Sequence, residues 1–367
     1  MSVNRQRTRA RRTTSALKQQ GVALITVLLV FTIATLIAAK IILAKSLDVQ
    51  RTTGMINRTQ AYYYALAAEQ LAILALQEDA ANDQENFPQG DNLDEFWAQG
   101  PIPFEIDNIG TVLVSIVDLN RFYNLNNIIL PTGETSLHEL ERFRDLLIEL
   151  DIDETLADNL ADWLDADNNE QGYQSEREDY AQEQPAYLGA NRMLTDISEL
   201  RLVRGFTPDV MATLLPHITV VKTPGVLPLN VNTASEYALA TLQKSGIGAS
   251  SGSTQGITLT GGQDIVALRS EPFDAIGQVT SRVTIPNLQT VGELNPDSGA
   301  VSTTFPIKTV SVNSEFFDIH IRADYAGSTA YLSTTVKREG IGNTASCIVL
   351  QRKETDNSAW HLAATQP

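Results

Sequence analysis

An uninterrupted apolar run near the N-terminus constrains this chain more than any other feature. Residues 22–39 read VALITVLLVFTIATLIAA, in which three threonines are the only polar side chains. At 1.5 Å per residue, eighteen helical residues are just long enough to cross the hydrocarbon core of a bilayer. Lys40 and Lys45 follow, and such lysines extend their ammonium groups to the membrane interface. The sequence therefore predicts a transmembrane helix over residues 22–39.

The segment before this run is basic. Residues 1–21 contain six Arg and Lys side chains and no Asp or Glu. The positive-inside rule then places the N-terminus in the cytoplasm and the body on the other side of the inner membrane. Since the whole chain has a formal net charge of −17, the part after residue 21 is even more acidic. Such a body repels phosphate backbones, which argues against a nucleic-acid partner, and it favours metal cations.

A cleaved secretory signal peptide has the same basic and apolar segments and is the alternative interpretation. However, the chain continues as a helix former to about residue 80, and Pro88 is its first proline. An apolar face also continues beyond the membrane run, at Met55, Tyr62, Leu66 and Ile73. These features favour one long helix over residues 22–80.

The body shows strand patterns at both ends and helical patterns between them. Residues 111–119 (TVLVSIVDL) predict a strand, and the chain after Thr309 predicts three strands at hairpin spacing, an antiparallel sheet. Helices are predicted at 134–150 and 153–164, with two shorter ones within 196–215. A further helix is predicted in LPLNVNTASEYALATL, with Thr233 and Glu236 as a capping box.

Gly21 followed by Val-Ala-Leu-Ile resembles the type III signal of pilins and pseudopilins. The resemblance implies that prepilin peptidase cuts between Gly21 and Val22 and that Val22 is then N-methylated. Most members of that family carry Glu at the fifth mature position, whereas this chain carries Thr26. A residue other than Glu at that position is characteristic of the K minor pseudopilins of type II secretion systems.

The resemblance to the K pseudopilins extends along nearly the whole chain. It is carried by DLNRFYNLNN, DWLDADNNEQGYQSERED, ANRMLTDISELRLVRGFTPD, LPLNVNTAS and VNSEFFDIHIRA. It implies an α+β fold in which a pilin-like long N-terminal helix packs on an antiparallel sheet, with inserted all-α domains of the sterile-alpha-motif type. The expected divisions are a leader (1–21), the N-terminal helix (22–80), a pseudopilin core (81–119 and 300–354), an inserted helical domain with an acidic loop (120–220) and a second helical domain (221–299).

The resemblance also implies a function and partners. A K pseudopilin assembles with the minor pseudopilins I and J into a tip complex that initiates or caps the pseudopilus, which also contains other pseudopilins. One alternative is a minor pilin of a type IV pilus or competence system, which differs mainly in its partners. The other is a membrane-anchored periplasmic hydrolase, for which the sequence offers no credible catalytic constellation.

Acidic residues are concentrated between positions 145 and 183, where fourteen acids face one base. Within this stretch, Asp165-x-Asp167-x-Asn169 has the alternate spacing of a calcium loop, and Glu176 lies where an EF-hand places its bidentate ligand. An EF-hand is excluded because its tight-turn glycine is missing. The family resemblance implies Ca²⁺ ligands at Asp165, Asp167, Glu178 and Asp179, with Asn169 and Glu176 in second rank. A solvated acidic loop without metal is the alternative.

Other motifs carry less information. The letters Gly248-Ala-Ser250-Ser-Gly252 match a nucleophile elbow, but the segment lacks the strand before it and the helix after it that such an elbow requires. Gly246-Ile-Gly248 matches a DNA-binding hairpin, yet only Lys244 is basic nearby. The single cysteine, Cys347, is expected to be a small core residue.

Overall fold

The computed structural model describes residues 17–86, 90–106, 109–167, 179–182, 184–242, 257–282, 309–340, 342–357 and 360. The chain divides into two units, Met1–Gln60 and Ala61–Pro367. In the described part of the first unit every residue is helical, and the second unit contains the sheet and the remaining helices.

Helix α1 (Leu17–Asn86) is longer at its C-terminal end than the predicted boundary near residue 80. Residues 22–39 of this helix are mostly aliphatic, and their side chains are exposed. It is the one helix among the described residues that is long and apolar enough to cross a membrane. This observation agrees with the predicted single-pass anchor.

Five strands form an antiparallel sheet in the order β1-β2-β7-β8-β9. Four short strands outside it form two parallel pairs, β3 with β4 and β5 with β6. The bounds are β1 Ile102–Ile106, β2 Gly110–Asp118, β3 Tyr123–Asn124, β4 Ile218–Thr219, β5 Leu229–Asn230, β6 Val310–Ser311, β7 Phe316–Tyr325, β8 Ser328–Glu339 and β9 Ser346–Glu354. The strand predicted over 111–119 and the three strands after Thr309 are confirmed, whereas β1 and the short strands β3, β4 and β5 are additional.

The C-terminal part of α1 packs on one face of this sheet. Small residues of α1, among them Ala61, Ala65, Ala68 and Ala72, are buried against it, which allows the helix backbone to lie close to the strands. Alternate residues of the strands supply the other half of this core, as the two-residue period of a strand requires. They are Val112, Val114, Ile116, Phe317, Ile319, Ile321, Leu332 and Val336. The α+β fold class is thereby confirmed.

The helices between β2 and β7 form two further cores. The first contains α2 (Leu137–Glu149), α3 (Leu156–Leu164) and α4 (Pro208–Leu214), packed around residues such as Phe143, Leu160 and Trp163. The second contains α5 (Glu236–Ala240), α6 (Thr258–Ala267) and α7 (Ile276–Arg282), packed around Leu239 and Phe273. The predicted capping box at Thr233 is wrong. Ser235 caps α5 by accepting a hydrogen bond from the Ala238 amide, because the Thr233 hydroxyl donates to Asp118 instead.

The two helical parts share one arrangement of side-chain hydrogen bonds. In each, an asparagine side chain accepts a hydrogen bond from one backbone amide and donates one to the carbonyl of the same residue. Asn126 does so with Leu194, at 2.8 and 3.1 Å, and Asn232 does so with Phe273, at 2.9 and 3.0 Å. In each part this asparagine also lies two residues after the asparagine that ends a short parallel strand. This recurrence indicates that the two helical parts are built on the same structural plan.

Candidate functional site

The predicted processing site lies at the beginning of α1. Gly21 and Val22 are both within the helix, and the Val22 side chain is exposed. Thr26 is also exposed, and its hydroxyl donates a hydrogen bond to the Ala23 carbonyl at 2.9 Å. The hydroxyl is therefore satisfied within its own helix and carries no charge that would require a partner. The leader residues 1–16 lie outside the described residues.

On the body, one face of α1 points away from the sheet and is exposed. Its members recur at helical spacing and include large apolar side chains: Tyr63, Ala67, Gln70, Leu71, Leu74 and Glu78. We call these six residues the outer face of α1. The apolar pattern in the sequence predicted only one continuing face on this helix. A second set of apolar residues at helical spacing, Tyr63, Leu71 and Leu74, is a sequence signal that could have indicated this second face.

The acidic loop begins where α3 ends. Asp165 is the C-cap residue that directly follows α3. It is 1% exposed, and Thr135 donates to its Oδ2 at 3.2 Å. Asp167 is exposed, and its backbone carbonyl accepts a hydrogen bond from Asn191 at 3.1 Å. The structure therefore places two of the predicted ligands at one helix end. Asn169, Glu176 and Glu178 lie outside the described residues, and of Asp179 only the backbone is described, at the start of a short 3₁₀ helix.

The surroundings of Asp165 fit a hard cation. A helix C-terminus carries a partial negative charge, which makes a buried carboxylate there unfavourable and a cation favourable. The last turn of α3 contains no basic residue. Carboxylate oxygens are the ligands that Ca²⁺ prefers. The position of Asp165 thus fits a calcium ligand.

A second acidic group lies elsewhere in the body. Carboxylate oxygens of Asp79, Asp91 and Glu95 lie within 4.8 Å of one another. Arg338 on β8 forms ion pairs with Asp79, at 3.1 Å, and with Asp91, and it also donates to the Ser314 carbonyl at 3.0 Å. The guanidinium group already supplies the positive charge that a cation would bring. This cluster is a structural junction between the end of α1 and the sheet.

Asp118 lies at the point where β2 leads into the helical parts. It is buried, and it accepts hydrogen bonds from the Asn120 amide at 2.7 Å and from the hydroxyls of Thr233 and Ser314 at 2.5 and 2.6 Å. Burial, with a smaller contribution from the nearby charge of Asp91, outweighs the lowering effect of these hydrogen bonds and raises the pKa of Asp118 to about 6. One carboxyl group thus links the sheet to the second helical part.

The first helical part is linked to the sheet by a different pair. Asp196, which caps the 3₁₀ helix Ile197–Leu202, forms an ion pair with Lys353 on β9. Burial alone would raise the pKa of Asp196, but hydrogen bonds from Lys353 and Ser198 lower it to about 2. Asp196 therefore stays ionised and holds this contact at neutral pH.

Cys347 lies on β9, partly buried at the border of the sheet core, and burial raises the pKa of its thiol. Cys347 is therefore less buried than the core residue that the sequence predicted. The Ser250 and Gly246–Gly248 motifs lie outside the described residues.

Comparisons with known proteins give one consistent family. The model for the type II secretion system protein K matches residues 121–223. Protein K of Pseudomonas aeruginosa is 40% identical over 230 residues, which cover 61% of this chain and 68% of that protein. Protein K of Aeromonas hydrophila is 30% identical over 241 residues, which cover 62% and 71%.

A solved structure has the same fold. One chain of the crystal structure of the GspK-GspI-GspJ complex from the enterotoxigenic Escherichia coli type 2 secretion system superimposes with a TM-score of 0.63. The match covers 84% of this chain and 100% of that chain, at 23% identity.

Proposed function

The chain belongs to the type II secretion system protein K family, and from this premise we propose that it is the minor pseudopilin at the tip of the pseudopilus. In this role it forms a complex with the minor pseudopilins I and J and initiates or caps assembly for protein export across the outer membrane. The solved structure that shares its fold is a complex of GspK with GspI and GspJ. A minor pilin of a type IV pilus would have other partners, and no relative described above carries that name.

The observation that carries the proposal is that α1 has two separate apolar faces on the body. The alanine-rich face is buried against the sheet, and the outer face exposes Tyr63, Leu71 and Leu74 to solvent. Apolar side chains at helical spacing that remain exposed in the single chain are the pattern by which a helix packs against a second helix. The outer face is therefore suited to the N-terminal helix of another pseudopilin.

Thr26 supports the tip position. A glutamate at this place in the membrane would be a costly buried charge unless a neighbouring amine neutralised it. The Thr26 hydroxyl is satisfied by the Ala23 carbonyl and makes no such demand. A subunit with no neighbour beyond it can carry a threonine here without an energetic penalty. The N-terminus then lies in the cytoplasm and the body in the periplasm, with prepilin peptidase acting on the cytoplasmic side.

Calcium is part of this proposal. Asp165 and Asp167 would hold Ca²⁺ together with Glu178 and Asp179, and the ion would neutralise the acidic loop. The burial of Asp165 at the end of α3 supports this assignment. When bound, the ion would tie the loop to the core of the first helical part. No catalytic step is assigned to the protein.

Co-purification tests the proposed function. The full chain is expressed in detergent-solubilised form with the candidate I and J pseudopilins encoded beside it, and the complex is isolated through a tag on the chain. A stable complex at micromolar concentration is expected. The paired changes Leu71→Asp and Leu74→Asp on the outer face should weaken it at least about tenfold, because a buried apolar contact would then contain charges.

The matched control is Ile148→Asp, an equally exposed apolar residue on α2 of the first helical part. It should leave the complex intact. Failure of the wild-type chain to bind I and J, or equal loss with the control variant, would contradict the proposal.

A further inference from the structure

Asn191, which follows the acidic loop in the chain, returns to the end of α3 in an unusual backbone conformation. Its φ angle is 43°, in the left-handed region that residues other than glycine rarely adopt and that asparagine tolerates better than most. Its backbone amide donates a hydrogen bond to the Trp163 carbonyl at 3.0 Å. Its side-chain Nδ2 donates another to the Asp167 carbonyl at 3.1 Å. Asn191 is therefore held at two points, one in the last turn of α3 and one just after that helix.

The Asp167 carbonyl also fixes the orientation of the Asn191 side chain. A carbonyl oxygen can only accept, so the NH₂ group of Asn191 faces it and Oδ1 points elsewhere. The two polar atoms of one amide are about 2.2 Å apart, as its bond lengths require, so Oδ1 stays near the Asp167 backbone. This oxygen is buried, and it accepts no hydrogen bond from the part of the chain that the structure describes. A buried acceptor without a donor is costly, which indicates that another species binds beside it.

Two species can satisfy a buried amide oxygen, a water molecule and a cation. The charges around Asn191 favour the cation. Asp162 in the last turn of α3 and Asp165 directly after it are 0% and 1% exposed, and the end of the helix adds a partial negative charge. Arg192 is adjacent in the chain, but its guanidinium group pairs with Glu199 at 3.1 Å. That arginine is therefore engaged away from these acids, and a bound cation would supply the charge that they require.

We propose that Asn191 Oδ1 is a ligand of the calcium ion that the proposed function places at Asp165 and Asp167. The inference rests on that calcium assignment and adds a ligand that lies beyond the acidic stretch of residues 145–183. Amide oxygens of asparagine are regular ligands of Ca²⁺ alongside carboxylates. The hydrogen bonds to Trp163 and Asp167 hold the oxygen in place before the ion arrives. A left-handed backbone at such a position is the kind of strain that ligand sites retain.

The consequence for the fold is a cross-link. Asp165 lies where the chain enters the acidic loop, and Asn191 lies after the chain has left it. An ion bound to both would join the two ends of the loop to the end of α3, in addition to the two hydrogen bonds that Asn191 already makes.

Terbium luminescence in the full, detergent-solubilised chain tests the proposal. Tb³⁺ occupies oxygen-rich calcium sites and emits when a nearby tryptophan is excited, and Trp163 lies two residues before Asp165. Displacement of Tb³⁺ by calcium then gives the calcium affinity. Asn191→Gly keeps the left-handed backbone without strain and removes the ligand, so the affinity should fall at least about tenfold. Asn191→Asp keeps an oxygen at this position and should bind calcium at least as tightly as the wild type.

Asn159→Ala is the matched control. Asn159 on α3 also donates a side-chain hydrogen bond to a backbone carbonyl, that of Arg204, at 3.2 Å. Its removal should lower the melting midpoint and leave the calcium affinity unchanged. Luminescence lifetimes in H₂O and D₂O count the water molecules on bound Tb³⁺. Asn191→Gly should gain about one water, because water replaces a lost ligand, and Asn191→Asp should gain none.

Two results would overturn the inference and leave the calcium site in place. Equal calcium affinity of Asn191→Gly and the wild type would assign the buried oxygen to a water molecule. Equal losses in the Gly and Asp variants would show that only the Nδ2 hydrogen bond to Asp167 matters. If the wild-type chain binds neither Tb³⁺ nor millimolar calcium, the calcium assignment fails together with this inference. The complex with the I and J pseudopilins tests the rest of the proposed function separately.

Discussion

Arg352 on β9 forms a two-pronged ion pair with Glu69 on α1, in which Nε lies 2.7 Å from Oε2 and Nη2 lies 2.5 Å from Oε1. Glu69 is completely buried, whereas Arg352 is 39% exposed. Thr334 on β8 donates a third hydrogen bond to Glu69 at 2.6 Å. One carboxylate thus connects α1 to two neighbouring strands of the sheet.

Substitution Glu69→Gln should destabilise the body. Burial alone would raise the pKa of Glu69, but hydrogen bonds from Arg352 and Thr334 outweigh it and lower the pKa. Removing one partner of a buried ion pair costs about 3–5 kcal/mol. Since water screens the half-exposed Arg352, we expect about 2 kcal/mol. Because the pKa of Glu69 is lowered in the folded state, the stability it contributes is present above its unfolded pKa and is lost as the pH falls. The difference in the free energy of unfolding between the variant and the wild type should therefore shrink below about pH 4.

Denaturant titration at pH 7 and at pH 3.5 measures this difference. The matched control is Glu339→Gln, which breaks the exposed pair between Lys337 and Glu339 on β8. That pair should contribute no more than about 0.5 kcal/mol. Equal losses of unfolding free energy for the two substitutions at pH 7 would contradict the predicted larger contribution of the buried Glu69 pair.

Asp118 should make the body less stable as the pH rises through about 6. Burial raises the pKa of Asp118, so the folded state favours the neutral acid. The stability that this group contributes is therefore fully present below the unfolded pKa of Asp. It is lost as the pH rises through the folded pKa. Asp118→Asn removes the ionisation and keeps an acceptor for the Asn120 amide. Relative to wild type, this variant should gain about 1–2 kcal/mol between pH 5 and pH 7.

Melting midpoints across this pH range measure the gain. Asp264→Asn, an exposed acid on α6, is the control and should show no such trend. Parallel pH profiles of Asp118→Asn and wild type would contradict the assignment.

Calcium should raise the melting midpoint of the wild-type chain. A ligand that binds only the native state at a hundred times its Kd stabilises it by about 2.7 kcal/mol. Asp165→Asn should remove most of the increase, because the ion would lose a charged ligand at the end of α3. Asp209→Asn, an exposed acid on α4, should retain the full increase. An unchanged melting midpoint of the wild type at millimolar calcium would contradict the calcium site and favour the alternative, a solvated acidic loop.

Gly21→Leu should block removal of the leader. The expected wild-type product in cells with prepilin peptidase begins at an N-methylated Val22, and intact-mass spectrometry identifies it. Gly54→Leu is the matched control, because Gly54 also lies in α1 and a Cβ there meets no atom within 4 Å. This control should be processed like the wild type. Cleavage of the Gly21 variant at the same bond, or cleavage elsewhere in the wild type, would refute the assigned site.

Much of the fold could be predicted from local patterns. The period of two residues in 111–119 and after Thr309 identified the strands, and leucine spacing identified α2 and α3, because each pattern reflects which side of an element is buried. β1 was missed because Pro101 before it and Pro103 within it disfavour a strand, and because none of its residues is buried. Thr233 was misassigned as a helix cap because nothing local to it indicates that Asp118, more than a hundred residues earlier, accepts its hydroxyl.

The sequence by itself determined the anchor and the family, because an apolar run of membrane length and an extended set of motifs are properties of contiguous residues. Only the tertiary structure decided which side chains meet across long separations: Glu69 with Arg352, Asp118 with Thr233 and Ser314, and Asp196 with Lys353. It also decided that, among the described residues, no strand pairs with the outer edge of β9 and the outer face of α1 stays exposed. Burial is set by the packing of distant segments, and a linear pattern reports only the preference of each segment.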